Sequence, residues 1–453
     1  MVAVPLLLTH SPVFGQDRAT LDLLVKRGVI SQADADSVGK SSATPGVLVT
    51  ANDSAVKKLQ LEGMIRMQYD FFTTRDKAGD ASNPPGTNQF EIRHAYLGAL
   101  ADLGNDWGGE VELDFAASEG TQSPTGGAAS GNVGVGQNSF EKVIITRKFP
   151  DYGTLAAGYR KVNFTQEELT PWSNLKAIER SPATRYFDEN FSSSTSGRLA
   201  FANRHTGVFW DGNVTGAGSV LDGAYYSVAV TDGYNNQNIQ VSNANNLGYN
   251  RLAYWAAAGY QGAVGEWKYD FGVHTGVSQV QNSNGLAGAA SQANAEWAWN
   301  PYVKVDKGGF EFSAEFLQAW VQRGKFAGSA GTTQTEATPY GINLTPSYKI
   351  SPEWEVSFRY SYLDTNGRGM NISDVVRNGN NPTLADGGTT NLFNAVNSYY
   401  WGVNYHIIGA GVLLSFGYEI NDFRDRQIGA GGTGFNGASA ESSGFRTQMQ
   451  VQF

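Results

Sequence analysis

The sequence contains no cysteine, which excludes disulfide scaffolds, thiolate metal centres and cysteine nucleophiles. It also lacks any internal run of 18 apolar residues, so no transmembrane helix can be drawn. That absence leaves a barrel open, because barrel strands alternate and average to a weakly polar score. Proline is scarce, 14 among 453 residues. Positive charge is not in excess: Lys and Arg number 33 against 42 Asp and Glu, a formal net charge of -9. This argues against nucleic acid as a partner, because a phosphate backbone needs concentrated Lys and Arg. It does not exclude an anion pathway, since a few cations inside a lumen can decide selectivity. His10, His94, His205, His274 and His406 have no metal-ligand spacing. Gly429-x-Gly431-x-x-Gly434 lies in a glycine-rich stretch with no helix to receive a phosphate. Asp34 and Asp36 lack the other ligands of a calcium loop. No Gly-x-Ser-x-Gly elbow occurs, so neither metal, cofactor nor catalysis is expected.

Glycine (55) and aromatics (24 Phe, 21 Tyr, 10 Trp) are abundant. The chain ends on Phe453, and its last stretch sets Phe445, Thr447, Met449, Val451 and Phe453 on one parity and Arg446, Gln448, Gln450 and Gln452 on the other. That is a strand with one apolar and one wet face. It resembles the C-terminal signal by which bacterial outer-membrane barrels are handed to their assembly machinery. The spacing predicts sixteen such strands: 60–72, 88–102, 107–116, 140–149, 153–160, 200–211, 220–231, 252–262, 266–280, 295–305, 309–321, 338–349, 353–363, 397–408, 411–423 and 443–453. In 353–363, Trp354, Val356, Phe358, Tyr360 and Tyr362 share one face; Glu353, Glu355, Ser357, Arg359 and Ser361 share the other.

Short gaps between these strands alternate with long ones along the whole chain. Short turns at one rim and long loops at the other mark an up-and-down barrel, an order that a Greek-key sandwich does not keep. The expected fold is therefore a 16-stranded antiparallel transmembrane β-barrel with short periplasmic turns and long extracellular loops. One parity should face outer-membrane lipid, with Tyr69, Phe71, Trp107, Trp267, Tyr399, Trp401 and Tyr405 suited to interfacial girdles. Ahead of the barrel, residues 1–16 read as a signal peptide without its basic n-region. Residues 17–59 read as a short N-terminal helical segment and a linker, and 60–453 as the barrel.

The longest loop, 161–199, mixes charge and aromatics: Lys161, Glu168, Trp172, Lys176, Arg180 and Arg185 are among its residues. A loop folded into a wet lumen needs such a mixture, so it is the expected constriction loop. Its stretches Gly158-Tyr159-Arg160-Lys161-Val162-Asn163-Phe164-Thr165-Gln166-Glu167-Glu168-Leu169-Thr170 and Ala177-Ile178-Glu179-Arg180-Ser181-Pro182 resemble the signature of the phosphate-selective porins O and P. So does Phe90-Glu91-Ile92-Arg93-His94-Ala95-Tyr96-Leu97-Gly98. The resemblance implies a homotrimer admitting small anions, in some members phosphate, past a constriction lined by basic residues. Arg180 matches the Glu-Arg motif, and Arg93 matches the first of an arginine pair.

Departures from that pattern bear on selectivity. His94 stands at the second arginine, Glu168 about where a loop lysine belongs, and Pro171-Trp172 replace two serines. A phosphate cage is thus incomplete, which favours a general or differently selective pore. Two rivals remain open: a barrel used as a binding or adhesion scaffold through loops such as 364–396, and an outer-membrane hydrolase. Arg66, Arg93, Lys142, Lys268, Arg359 and Arg446 fall on the polar parity, where pairing with wall carboxylates competes with a role toward solute.

Overall fold

The computed structural model describes residues 47–50, 56–79, 81–116, 139–150, 152–189, 198–199, 201–214, 221–232, 252–280, 294–322, 324–325, 335–384, 392–409, 411–427 and 439–453. The expected signal peptide and the helices anticipated between 19 and 38 lie outside these residues. Within the expected linker, a short strand, Val47–Thr50, pairs with Lys58 to Gln60.

Sixteen long strands follow: β1 (Lys58–Asp76), β2 (Thr87–Gly104), β3 (Trp107–Asp114), β4 (Ser139–Phe149), β5 (Gly153–Lys161), β6 (Arg204–Asn213), β7 (Ala224–Asp232), β8 (Leu252–Val264), β9 (Trp267–Val280), β10 (Asn294–Lys307), β11 (Phe310–Val321), β12 (Tyr340–Lys349), β13 (Trp354–Asp364), β14 (Phe393–Ile408), β15 (Val412–Arg426) and β16 (Ala440–Gln452). Each pairs antiparallel with the next, and β16 returns to β1 from Ala440↔Asp76 to Gln452↔Met64. The sixteen strands therefore form a closed sheet, each paired on both sides.

All sixteen strands expected from the alternation are present. Most begin within two residues of the expected start; β6, β7, β14 and β16 begin three or four residues away, β7 at Ala224 rather than 220 and β16 at Ala440 rather than 443. β6 starts at Arg204 rather than 200, because Phe201 and Ala202 turn inward into an apolar cluster. β14 starts at Phe393 rather than 397, and Phe393 and Val396 join the same cluster. Alternation finds a wall strand but cannot see a strand end that packs against a loop.

The two faces divide as the period of two requires. On β1, Ile65 and Met67 are exposed while Arg66, Gln68 and Asp70 are buried inside. On β16, Phe445 and Met449 are exposed while Arg446, Gln448 and Gln450 point inward. Trp107, Trp267 and Trp401 stand on the outer surface, and Trp354 stacks on Tyr405 at 4.5 Å. At one rim the turns are tight: Asn105 and Asp106 both adopt positive φ (51° and 67°), as do Gly308 and Gly309 (56° and 91°). That backbone suits the right-handed twist of flanking strands.

Closure depends on a small residue at the seam. Gly444 lies opposite Phe72, and a Cβ there would collide with the Phe71 carbonyl and sit 2.8 Å from the Phe72 Cα. Gly444→Ala is expected to push β16 off β1 and destabilise the barrel by about 1–3 kcal/mol, the usual range for overpacking. A lower urea midpoint for the heat-modifiable gel shift checks this; an unchanged midpoint rejects it.

The lumen is not an empty tube. The described parts of the connections after β5 and β13, residues 162–189, 198–199 and 201–203 and residues 365–384 and 392, run inward. They carry α1 (Gln166–Leu169), α2 (Pro182–Asp188) and α3 (Ile372–Val375). Tyr186 and Phe187 of the first loop and Met370, Ile372 and Val375 of the second share one buried apolar cluster with Phe393 and Phe423 of the wall.

Candidate functional site

The site begins at an irregularity in β2. Arg66 pairs with His94, but Met67 pairs with Ile92, so Arg93 is the extra residue of a β-bulge. A bulge sets two residues against one and lets neighbours point the same way. Arg93 and His94 are consequently both buried inside the barrel, where a regular strand would send them to opposite faces. The same irregularity recurs where Glu112 pairs with Lys142 and Leu113 with Phe140, which makes Glu141 the extra residue of β4.

The loop after β5 crosses the lumen and is bonded to walls on several sides. Near its start, the Gln166 amide donates to Glu315 Oε2 of β11 at 2.8 Å. Farther on, Lys176 Nζ meets Glu355 of β13 at 2.7 Å and Glu311 of β11 at 3.3 Å. The Lys176 carbonyl accepts from Ser357 Oγ at 2.9 Å. Arg359 Nη1 donates to the Glu179 carbonyl at 2.6 Å and to Glu167 Oε1 at 3.2 Å. Glu179 then reaches β2: Arg93 Nε and Nη2 donate to its two carboxylate oxygens at 2.8 and 3.2 Å. Arg66 Nη2 of β1 lies 3.7 Å from the same carboxylate. The Arg180-Ser181-Pro182 run explains the next step. Ser181 Oγ accepts from the Thr184 amide at 3.2 Å and Pro182 occupies the first helical position, which is how such residues start a helix.

Among the residues singled out from sequence, five come together. Arg180 Nε contacts Glu168 Oε2 at 2.6 Å, and Lys161 Nζ contacts Glu168 Oε1 at 2.6 Å. Arg180 also lies over the Trp172 ring, 3.7 Å from its centroid, and Arg93 is 5.0 Å from that centroid. Lys176 is held apart by its carboxylates on β11 and β13. Arg185 is turned away as well, in a bidentate pair with Glu189 at 2.9 Å on α2. Arg66, Glu167, Glu179 and Arg359 belong to the same network. Their inward parity was the signal for Arg66 and Arg359, whereas nothing local in the sequence singled out the two glutamates as partners.

The electrostatics follow from the pairing. Burial would raise the Glu179 carboxyl, but Arg93, Arg66, Arg377 and Arg446 outweigh it and hold it well below the usual carboxylate range. Burial acts on Glu168 likewise, and Arg180 and Lys161 lower it. Lys176 is raised, since Glu311 and Glu355 outweigh its burial.

A second inward loop braces this arrangement. Arg377 Nε and Nη2 donate to the two Glu91 oxygens at 2.9 and 2.7 Å. Asn378 Nδ2 donates to Asp70 Oδ2 at 2.5 Å, Gln89 Nε2 donates to Asn378 Oδ1 at 2.9 Å, and Thr87 Oγ1 donates to the Asn378 carbonyl at 2.7 Å. Thr383 and Leu384 pair with Ser82 and Ala81 in a two-stranded ribbon. The stretch read from sequence as part of an outer loop is thus docked on the wall through residue 384.

The profile of the phosphate-selective porin O and P family matches residues 62–453. The chain belongs to that family. It is accordingly a porin, an outer-membrane channel of the bacterial cell, and family and fold point to transport rather than catalysis. The outer membrane channel DcaP of Acinetobacter baumannii superposes on this porin with a TM-score of 0.50 at 14% identity, covering 90% of this chain and 100% of that one. OmpF of Salmonella typhi, in complex with daunomycin, gives 0.49 at 11% identity over 89% and 100%. In-vitro folded OmpT of Vibrio cholerae gives 0.47 at 10% over 90% and 100%. The likeness to DcaP bears on the fold alone. No curated protein matches the sequence.

Proposed function

We propose that this porin gives small hydrophilic solutes a passive route across the outer membrane, with a preference for anions, phosphate among them, and that it works as a homotrimer. Loop 161–199 forms the constriction, with Arg180, Arg93, Lys161 and Trp172 nearest the solute and Lys176 and Arg185 flanking. The observation that carries this reading is the charge balance there. Arg66, Arg93, Arg180 and Lys161 share two carboxylates, Glu168 and Glu179, a formal excess of two positive charges (four minus two). Beside it, Arg377 with Glu91 is internally neutral and Arg446 with Asp70 and Glu419 carries one negative charge in excess, so the positive excess is local to the cluster around Glu168 and Glu179. An excess of fixed positive charge favours anion entry, while engagement of every guanidinium by a carboxylate leaves no ready-made phosphate cage. The gradient of the solute supplies the driving force.

Purified protein added to a planar bilayer is expected to give stepwise conductance. In a potassium chloride gradient the reversal potential should lie on the chloride side of zero selectivity, and a potential on the potassium side rejects the anion preference. Complete absence of conductance rejects the channel. That outcome would favour the scaffold reading, for which the apolar packing of the two inward loops is the supporting observation.

A further inference from the structure

Between loop 161–199 and strands β10 to β12 lies a recess that the loop bridges at two places. The Gln166 amide reaches Glu315 Oε2 at 2.8 Å, and Lys176 Nζ reaches Glu311 Oε2 at 3.3 Å. Thr170, Asn174 and Leu175, which lie between those two contacts in the chain, line the recess from the loop side. Lys304, Ser313 and Thr345 line it from the wall. These three are cross-strand neighbours, since Ser313 of β11 pairs with Lys304 of β10 and with Thr345 of β12. Their shared inward parity sets an ammonium and two hydroxyls side by side.

The charges of the recess are engaged with one another. Glu311 lies 3.3 Å from Lys176 and 3.2 Å from Lys304, and Lys176 also holds Glu355 at 2.7 Å, so two ammoniums meet two carboxylates. Glu315 accepts from the Gln166 amide, from Asn343 Nδ2 at 2.9 Å and from Asn300 Nδ2 at 3.1 Å. What stays uncommitted is neutral. The side-chain amides of Gln166 and Asn174 and the hydroxyls of Ser313 and Thr345 line the same recess and make no hydrogen bond to the protein among the described residues. Such amides and hydroxyls both donate and accept, and Leu175 adds apolar surface beside them.

We infer that this recess is a subsite for neutral polyhydroxylated solutes, the class to which sugars belong. A solute hydroxyl is donor and acceptor at once, like the groups that wait for it. A neutral solute also gives up far less hydration on entering than an ion does. An anion finds no uncompensated cation there, because both lysines face carboxylates, and the positive excess sits elsewhere, around Glu168 and Glu179. The inference rests on the channel reading above for passage of the solute, but not for its binding.

Planar bilayers supply the first test. Sucrose should interrupt the chloride current of the wild type in a saturable way after correction for bulk viscosity. A polyethylene glycol dimethyl ether of matched size should not, because it accepts hydrogen bonds but donates none, and a site built for hydroxyls rejects an analogue that lacks them. Thr345→Val combined with Asn174→Ala should raise the half-blocking sucrose concentration about tenfold, which is what two lost hydrogen bonds of ordinary strength amount to. Asn174→Ala alone, at an exposed position of the loop, should raise it about threefold. Absence of saturable interruption, equal interruption by the ether, or wild-type block in the double variant overturns the inference. If the double variant loses its heat-modifiable gel shift, Asn174→Ala carries the comparison, and wild-type block in it is equally fatal.

The second test does not depend on conduction. Saturation-transfer NMR on the purified full-length protein in detergent should show transfer to sucrose protons and none to the ether. Lack of transfer to sucrose overturns the inference. A wild type without conductance would sink the channel reading, whereas the transfer to sucrose would still report on the subsite.

Discussion

Glu179→Gln is expected to release loop 161–199 from the β1–β2 wall. The Glu179 carboxylate is 3% exposed and is shared by Arg93 and Arg66, with Arg377 and Arg446 also acting on it. Its replacement by an amide of equal size leaves buried guanidiniums without their counter-charge. Breaking one partner of a buried pair costs about 3–5 kcal/mol, a large share of what a docked loop can contribute. Protease cleavage within the loop should accelerate and the thermal midpoint in detergent should fall. Conduction should become more anion-selective, because the excess of two positive charges becomes three. Unchanged cleavage and melting would reject the role assigned to Glu179.

The pH dependence has a defined sign. The folded Glu179 carboxyl lies well below the ordinary value, so its stabilisation is complete above the unfolded value of about 4.3. It is lost only as pH falls through the lower folded value. Loop cleavage by an acid-active protease should stay slow through mildly acid pH and rise only below the range where ordinary glutamates titrate. In Glu179→Gln that acid step should disappear.

Arg377→Ala should free the second inward loop. Arg377 binds Glu91 through both of its donating nitrogens, and its carbonyl accepts from Arg446 Nη2 at 2.8 Å. Removal of the side chain leaves the Glu91 carboxylate, 10% exposed, without its bidentate partner. The penalty again belongs to the range of about 3–5 kcal/mol for a broken buried pair. Asn378 is the next anchor, and its contacts with Asp70, Gln89 and Thr87 should loosen with it. The expected readout is faster cleavage within 365–384 together with larger, noisier single-channel currents, because residues that packed against α2 leave the lumen. Wild-type traces and cleavage would show that the ribbon of Thr383 and Leu384 with Ser82 and Ala81 holds the loop alone. Arg377→Lys should recover only part of the effect, since an ammonium cannot reproduce the two-pronged contact.

The wall of this porin was legible because a strand's chemistry is local. Side chains alternate with a period of two, so Ile65, Arg66, Met67 and Gln68 announce their faces from four consecutive residues. Short turns were legible for the same reason, as at Asn105 and Asp106. Strand ends were less so. Phe393 and Val396 break the alternation because they face a loop rather than lipid or water, and no neighbour in the sequence records that loop. The bulge at Arg93 was equally hidden. It is defined by register against β1, and register belongs to two strands at once.

The site was legible as a set of residues but not as a set of pairs. Arg93, Lys161, Glu168, Trp172 and Arg180 stood out as charged or aromatic residues on an inward parity or in a long loop. Lys161 and Arg180 find Glu168 within the loop, 7 and 12 residues away, but the pairs that fix the loop to the wall lie far off along the chain: 86 residues separate Arg93 from Glu179, 180 separate Arg359 from Glu179, and 286 separate Arg377 from Glu91. Arg185 shows the opposite case, a residue whose partner Glu189 lies one helical turn away and which is therefore drawn out of the cluster.

Sequence alone determined the closed sheet, its sixteen strands and the face each strand gives to lipid, because alternation and turn chemistry act within a few residues. Tertiary structure alone decided which cations are neutralised, that Arg93 and His94 point the same way, and that a second loop enters the lumen. Those outcomes depend on Coulombic and hydrogen-bond contacts across the barrel, whose energies exist only once distant strands have been brought within a few ångströms of the loops between them.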